Sequence, residues 1–577
     1  MATTRQARHP GRREFFRVAA GAAAGAAAST MFPPGVAAQR GRGAGAGQTA
    51  PPAPPPVPLG NGEPPAIVFQ PYPGGTGAYL ERLARERGRA AFDRAPFDVE
   101  PWSGPVPTSE EDIAFLPVHR LSALLRARHI TSSDLTDIYL TRMKRYDPTL
   151  LCAVTILEDD ARRAAREADA EIAAGRYRGP LHGIPWGVKD LFAVKGYPTT
   201  WGSEDFQTQV IDVDAEVVTR LRNAGAVLIA KLATGRFAAG DNWFRGQTKN
   251  PWNVEQGSSG SSAGPASATA AGCVAFALGT ETQGSIVSPT RRCGLTALRP
   301  TFGRISRYGG MVLSWSMDKV GPMCRTVEDV ALVFNTIHGV DEKDPATVMT
   351  PFQWERQTDV SGYRIAYADD APAEFLAALR GLGATLVPMP DRPSSSGLSS
   401  LGVETAAAFD FYAQTLPPEP DEQPAADAGA GRGDAGRGTG AGAGAAAARG
   451  RGEGDAAGRG GGRGGRGGRG GRGGRFTRGR TVTALDFLQS QRRRQLVMRE
   501  MDEVMRDVDM YVTLGGDVGL TNQTGHPAAV FPYEFAGEPA QPRCITLIGK
   551  LFADDKILSV AQAYQASTDW HTRRPAL

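Results

Sequence analysis

The stretch from Gly257 to Pro289, GSSGSSAGPASATAAGCVAFALGTETQGSIVSP, limits what this chain can build more than any other. Gly and Ser open it too densely for a helix or strand interior, where Gly costs backbone entropy and Ser competes for the backbone's hydrogen bonds. A loop is expected there. Small residues from Ala266 to Ala271 suit a close-packed helix, and the apolar run Cys273 to Leu278 suits a short buried strand. Gly279 to Ser285 then returns to Gly, Thr and Ser, so two serine-bearing loops are expected on either side of a buried connector.

Serines in such loops do chemistry only with a base. The chain holds His9, His119, His129, His182, His338, His526 and His571, none of them near a Gly-x-Ser-x-Gly elbow, and Gly257-Ser258-Ser259-Gly260-Ser261 fails that pattern at its last position. A lysine is the better candidate. In HGIPWGVKDLFAVKGYPTT, the apolar run Gly183 to Val188 ends at Lys189-Asp190, which places Lys189 where a buried strand meets a loop. A desolvated lysine has its charged form disfavoured and acts as a base. Lys231 ends a second apolar strand, AVLIAKL, and is the rival.

With HGIPWGVKD and GYPTTWGS ahead of the Ser-rich loop and GTETQGSI behind it, the chain resembles the amidase-signature family of serine hydrolases from about Ile113 to its C-terminus. The resemblance implies a single α/β domain with a central mixed sheet covered by helices on both faces. It also implies a Ser-Ser-Lys device, with Lys189 as base, Ser261 as relay in a cis peptide and Ser285 as nucleophile. Ser258 competes for the relay because the loop repeats as SSGSS; the step from Ser261 to Ser285 is the one that matches the family. The backbone N–H groups of Thr282, Gln283, Gly284 and Ser285 would form the oxyanion hole, Lys231 would be structural, and no metal or organic cofactor would be needed. The expected substrate is a small-molecule amide.

Two positions depart from the family's common Asp-x-Gly-Gly-Ser-Ile-Arg. Gln283 stands where Gly would allow positive φ, and Val287 stands where an arginine would supply charge. Farther on, TNQTGHPAAVFPYEF resembles the family's late segment, which suggests Asn522, Thr524 and His526 as cleft residues.

The rest of the chain frames this domain. Arg12-Arg13 precedes a weakly hydrophobic Ala/Gly run, with Val36-Ala37-Ala38 as a cleavage site, which reads as a twin-arginine signal over residues 1–38. That reading implies the twin-arginine export machinery as partner and a periplasmic or secreted enzyme, an N-terminal membrane anchor being the alternative. Five cysteines without a CxxC neither form a disulfide framework nor a metal cluster. Residues 39–109 read as a Pro/Gly-rich linker and N-terminal extension, with a helix at Glu81–Phe92, and residues 110–577 as the folded domain.

Residues 417–480 interrupt that domain with Ala/Gly/Arg low complexity that cannot build a core. The pI of 8.8 comes from this segment and the N-terminus rather than from the catalytic body. Arg-Gly-Gly tracts bind nucleic acid or other polyanions in some proteins, but only Phe476 is available here for stacking. Two alternatives to a hydrolase follow: the glutaminase component of an amidotransferase, and a catalytically impaired polyanion-binding protein.

Overall fold

The computed structural model describes residues 69–395, 397–416, 476 and 478–577. The expected signal (1–38), residues 39–68 of the linker and residues 417–475 of the Arg-Gly-Gly insertion lie outside the described residues.

Eleven strands form one mixed sheet. They are β1 (Ala153–Ile156), β2 (Pro185–Lys189), β3 (Val227–Leu232), β4 (Phe276–Glu281), β5 (Thr296–Arg299), β6 (Lys319–Cys324), β7 (Arg364–Tyr367), β8 (Thr385–Pro388), β9 (Met510–Thr513), β10 (Ala528–Ala536) and β11 (Gln541–Gly549). Their order across the sheet is β1-β3-β2-β4-β6-β5-β10-β11-β9-β7-β8. β2 is parallel to both β3 and β4, whereas β4 and β6 are antiparallel.

Alternation along the strands buries both faces, as the period of two requires. Met510 and Val512 of β9 join the larger core with Val330 and Leu558, from the helices Val327–Ile337 and Asp554–Ala566. Tyr511 between them faces a second core with Met501 and Leu520, from the helices Ala484–Val504 and Val518–Thr524. Helices therefore cover both faces of the sheet.

Local chemistry explains the main helix starts. Thr131 caps the helix Ser132–Leu150 in a capping box with Asp134, and Thr326 accepts the Asp329 N–H at the start of Val327–Ile337. The small-residue helix Ala263–Ala270 is buried on every side. A Cβ on Gly264 would come within 2.3 Å of Ala233 N and Cys152 O, so only glycine lets this helix approach the end of β3.

Three sequence expectations shift. The strand expected at Cys273–Leu278 forms at Phe276–Glu281, because Gly272 adopts φ +66° and the chain turns before entering the sheet. The packed body also extends N-terminal to Glu110: a helix at Thr76–Arg87 buries Tyr79 and Leu83 against Leu551 and Phe552, and Phe69 packs on Phe302 at 5.1 Å.

Phe476 is not a free stacking residue. It is 2% exposed, packed between Phe409 (4.6 Å) and Phe237 (5.1 Å), so the end of the expected insertion belongs to the core. On the helix Ala484–Val504, Met498 and Met501 are buried, whereas Leu488 and Leu496 are 58% and 61% exposed. Among the described residues, no helix is long and apolar enough to cross a membrane.

Candidate active site

Lys189 is the last residue of β2, and its parallel neighbour β4 ends at Glu281. The serine loops meet at the carboxyl ends of these two strands, the usual place for chemistry in an α/β sheet. Lys189 Nζ lies 2.8 Å from Ser261 Oγ and 2.8 Å from Thr280 Oγ1, and it is fully buried. Burial holds its pKa well below the ordinary lysine value, with Asp318 and Glu281 acting the other way.

The Gly260–Ser261 peptide is cis. Ser258, the competing relay, turns away and donates to its neighbour's carbonyl, Ser259 O, at 2.9 Å. Lys231 does not approach the serines: it pairs with Asp190 at 2.7 Å and donates to Pro198 O and Thr199 Oγ1, entirely inside the protein.

Ser285 is half-buried and sits one residue before Ile286, on the turn that leads into the helix Val287–Cys293. Its carbonyl accepts the Ser262 N–H at 3.1 Å, which ties the two serine loops together. Among the described residues, the N–H groups of Thr282, Gln283, Gly284 and Ser285 have no backbone acceptor. They remain available to a ligand oxygen. Gly284 has φ +91°, and a Cβ there would meet Ser288 Oγ at 3.1 Å, so this position needs glycine. Gln283 is not among the positive-φ residues and its side chain is exposed, so the loop accommodates it.

The turn rests on a buried polar network that sequence reasoning missed. Glu281 accepts from Arg299 Nη1 (2.9 Å), Asn522 Nδ2 (2.7 Å) and the N–H groups of Ile286 (2.8 Å) and Val287 (2.9 Å). Burial pushes this carboxyl up, but Arg299 and the other donors outweigh it and leave the pKa at about 2. Arg299 is the buried counter-charge of Glu281, while Val287 packs into the apolar core with Tyr511 and Val530.

Asn522 also accepts from Lys319 Nζ at 2.8 Å. It supports the turn from beneath rather than lining a cleft. Thr524 and His526 are likewise buried, with Thr524 Oγ1 2.8 Å from His526 Nδ1, and burial with Arg299 nearby lowers the His526 pKa to about 3. The sequence signal for this network was the pairing of an acid at 281 with a basic residue at the end of a strand, which carries no fixed spacing.

On the other side of the loop, Thr282 Oγ1 donates to Asp318 at 2.6 Å. Asp318 is buried, which raises its pKa, and Thr280, Thr282, Asp318, Leu191 and Met311 line a cavity of about 20 Å³. Among the described residues, no cluster of three or more His, Cys, Asp or Glu is placed to hold a metal ion. All five cysteines are free and buried.

The family model described as Amidase matches residues 134–413. In Roseiflexus sp. (strain RS-1), the A subunit of glutamyl-tRNA(Gln) amidotransferase is 34% identical over 489 residues, covering 79% of this chain and 96% of the relative. The chain belongs to the amidase-signature family. It is therefore an amidase-signature enzyme, a C–N hydrolase or an amidotransferase.

Solved amidase-signature structures share the fold. Native peptide amidase from Stenotrophomonas maltophilia is 25% identical with a TM-score of 0.62, covering 80% of this chain and 98% of that one. An amidase family protein from Bacillus anthracis str. Ames, at 23% identity, has a TM-score of 0.65 over 81% of this chain and 94% of that one.

Proposed function

We propose that this protein is an exported amidase that hydrolyses a carboxylic amide through Ser285, with Ser261 relaying protons and Lys189 as base. The observation that carries this reading is the 2.8 Å contact between Lys189 Nζ and Ser261 Oγ in a fully buried pair, on a loop tied to the one that bears Ser285.

With Lys189 neutral, that contact lets the Ser261 hydroxyl donate to the amine while Ser261 Oγ accepts the Ser285 proton. Ser285 Oγ then attacks the amide carbon, and the N–H groups of residues 282–285 receive the negative oxygen, a contribution of about 3 kcal/mol per donor in comparable sites. The proton returns through Ser261 to the leaving nitrogen, the C–N bond breaks, and the amine departs. Water, deprotonated by the same relay, attacks the acyl-enzyme and releases the acid.

The test is a panel of primary carboxamides, including peptide C-terminal amides and free glutamine, with released ammonia measured by a coupled assay. The expected result is turnover of at least one amide that disappears in Ser285→Ala and Lys189→Met. Turnover that survives Ser285→Ala overturns the reading.

A second reading, a glutaminase component feeding ammonia to an amidotransferase, draws on the 34% identity to the Roseiflexus amidotransferase chain. Glutamine as the sole substrate, turned over only with a partner protein added, would favour it. Export is part of the first reading and draws on Arg12-Arg13 ahead of the Ala/Gly run. Replacing both arginines by lysine is expected to leave the enzyme in the cytoplasmic fraction; unchanged export through this variant contradicts the twin-arginine route.

A further inference from the structure

The residues that bracket the low-complexity insertion are connected to the oxyanion loop. Helix Ser400–Ala408 lies against the segment 311–318, where Glu404 accepts from Ser314 Oγ (2.6 Å), Ser316 N (2.9 Å) and Ser316 Oγ (2.7 Å). At the next residue, Thr405 Oγ1 donates to Leu313 O at 2.9 Å.

Asp318 closes the same segment from within. Its Oδ2 accepts the N–H groups of Leu313 (2.8 Å) and Ser314 (3.1 Å), while its Oδ1 accepts from Thr282 Oγ1 at 2.6 Å. Ser314 therefore joins Glu404 to Asp318, and Asp318 joins the segment to the first residue of the loop that ends at Ser285. The chain of contacts is continuous, with no link longer than 3.1 Å.

Other contacts make the segment a fixed part of the wall. Buried Arg494 donates to Ser316 Oγ (2.7 Å) and Ser316 O (2.9 Å), and its charge faces Glu404. Beyond the helix, Phe409 and Tyr412 pack with Phe476 from the far end of the insertion, against Trp201 and Phe237. The cavity of about 20 Å³ beside Thr282 and Asp318 has room for little more than one water molecule, so the segment packs closely against the loop.

We infer that Glu404 is a positioning residue for acylation at Ser285: by fixing the segment 311–318 it sets Asp318, and through Asp318 it sets Thr282 and the oxyanion loop. The inference rests on the Ser-Ser-Lys reading above. A carboxylate suits the task because it accepts all three donors, two of them at one oxygen, and hydrogen bonds to an ionised acceptor are roughly twice as strong as neutral ones. An amide at the same place has only its oxygen to accept with.

The experiment uses the full chain and a fluorophosphonate probe, with the maximal inactivation rate and the probe's half-saturating concentration measured separately. Because oxyanion donors act on the reacting state, Glu404→Ala is expected to lower the maximal rate about tenfold and Glu404→Gln about threefold, with half-saturation changed less than about twofold. Arg480→Ala breaks the surface ion pair with Asp410 on the same bracket without touching Ser314 or Ser316, and is expected to react at the wild-type rate.

Should Glu404→Ala fail to fold, the isosteric Glu404→Gln carries the test alone. Wild-type rates in the Glu404 variants overturn the inference, as does a loss confined to half-saturation or an equal loss in Arg480→Ala. A wild-type enzyme that takes no label at Ser285 overturns instead the reading beneath it, which separates the two failures.

Discussion

Glu281→Gln removes the anion on which the nucleophile turn rests. Four donors converge on this carboxylate, and both it and Arg299 are fully buried. Its pKa of about 2, against an ordinary 4.5, corresponds to about 3 kcal/mol of differential stabilisation of the charged form. Because the folded value lies below the unfolded one, this contribution is fully present above pH 4.5 and is lost as pH falls toward 2.

Glutamine leaves Arg299 buried without a counter-charge, a change that commonly costs about 3–5 kcal/mol. Denaturant unfolding at neutral pH is expected to show a loss in that range. A cycle with Arg299→Met should separate pair from parts: in Glu281→Gln/Arg299→Met, the loss should fall below the sum of the two singles by at least about 2 kcal/mol. A single-variant loss below about 1 kcal/mol, or strict additivity, would refute the claim that the nucleophile turn rests on this ion pair.

Three further outcomes follow. In the wild type, the rate of Ser285 labelling should rise with pH and level off below the ordinary lysine range, because burial lowers the Lys189 pKa; Lys189→Met should slow labelling severely while leaving the fold at least as stable at neutral pH, since the desolvated amine at that position is gone. Gln283→Gly should change ammonia release by less than about threefold, whereas Gly284→Ala should nearly abolish it, because φ +91° costs a non-glycine residue about 1–3 kcal/mol and the new Cβ presses on Ser288. Lys231→Met should destabilise by about 3–5 kcal/mol by stranding Asp190 in the interior, and folded protein recovered at low temperature should still be labelled at Ser285.

Much of the architecture was legible because local signals agreed with the global fold. The apolar run into Lys189 ends where the sequence puts it, at the end of a buried strand. The strand after Gly272 starts later than its apolar run implies, because such a run carries no mark of where a turn ends.

The site was legible to the extent that its residues lie in contiguous loops. Lys189, Ser261 and Ser285 could be named from motif and order, but the support beneath them could not. Glu281 meets Arg299 and Asn522 only through β5 and the helix Val518–Thr524, and Glu404 reaches Thr282 only through Ser314 and Asp318. Such contacts depend on tertiary packing between residues 18, 90 and 241 positions apart in the chain.

The most direct test of the central claim is to locate the fluorophosphonate adduct by peptide mass spectrometry in the full-length protein and in Ser285→Ala, Ser261→Ala and Lys189→Met. The account predicts a single adduct on Ser285, absent from Ser285→Ala and formed much more slowly in the other two. An adduct on another serine, or labelling of Ser285 at an unchanged rate without Lys189, would contradict it.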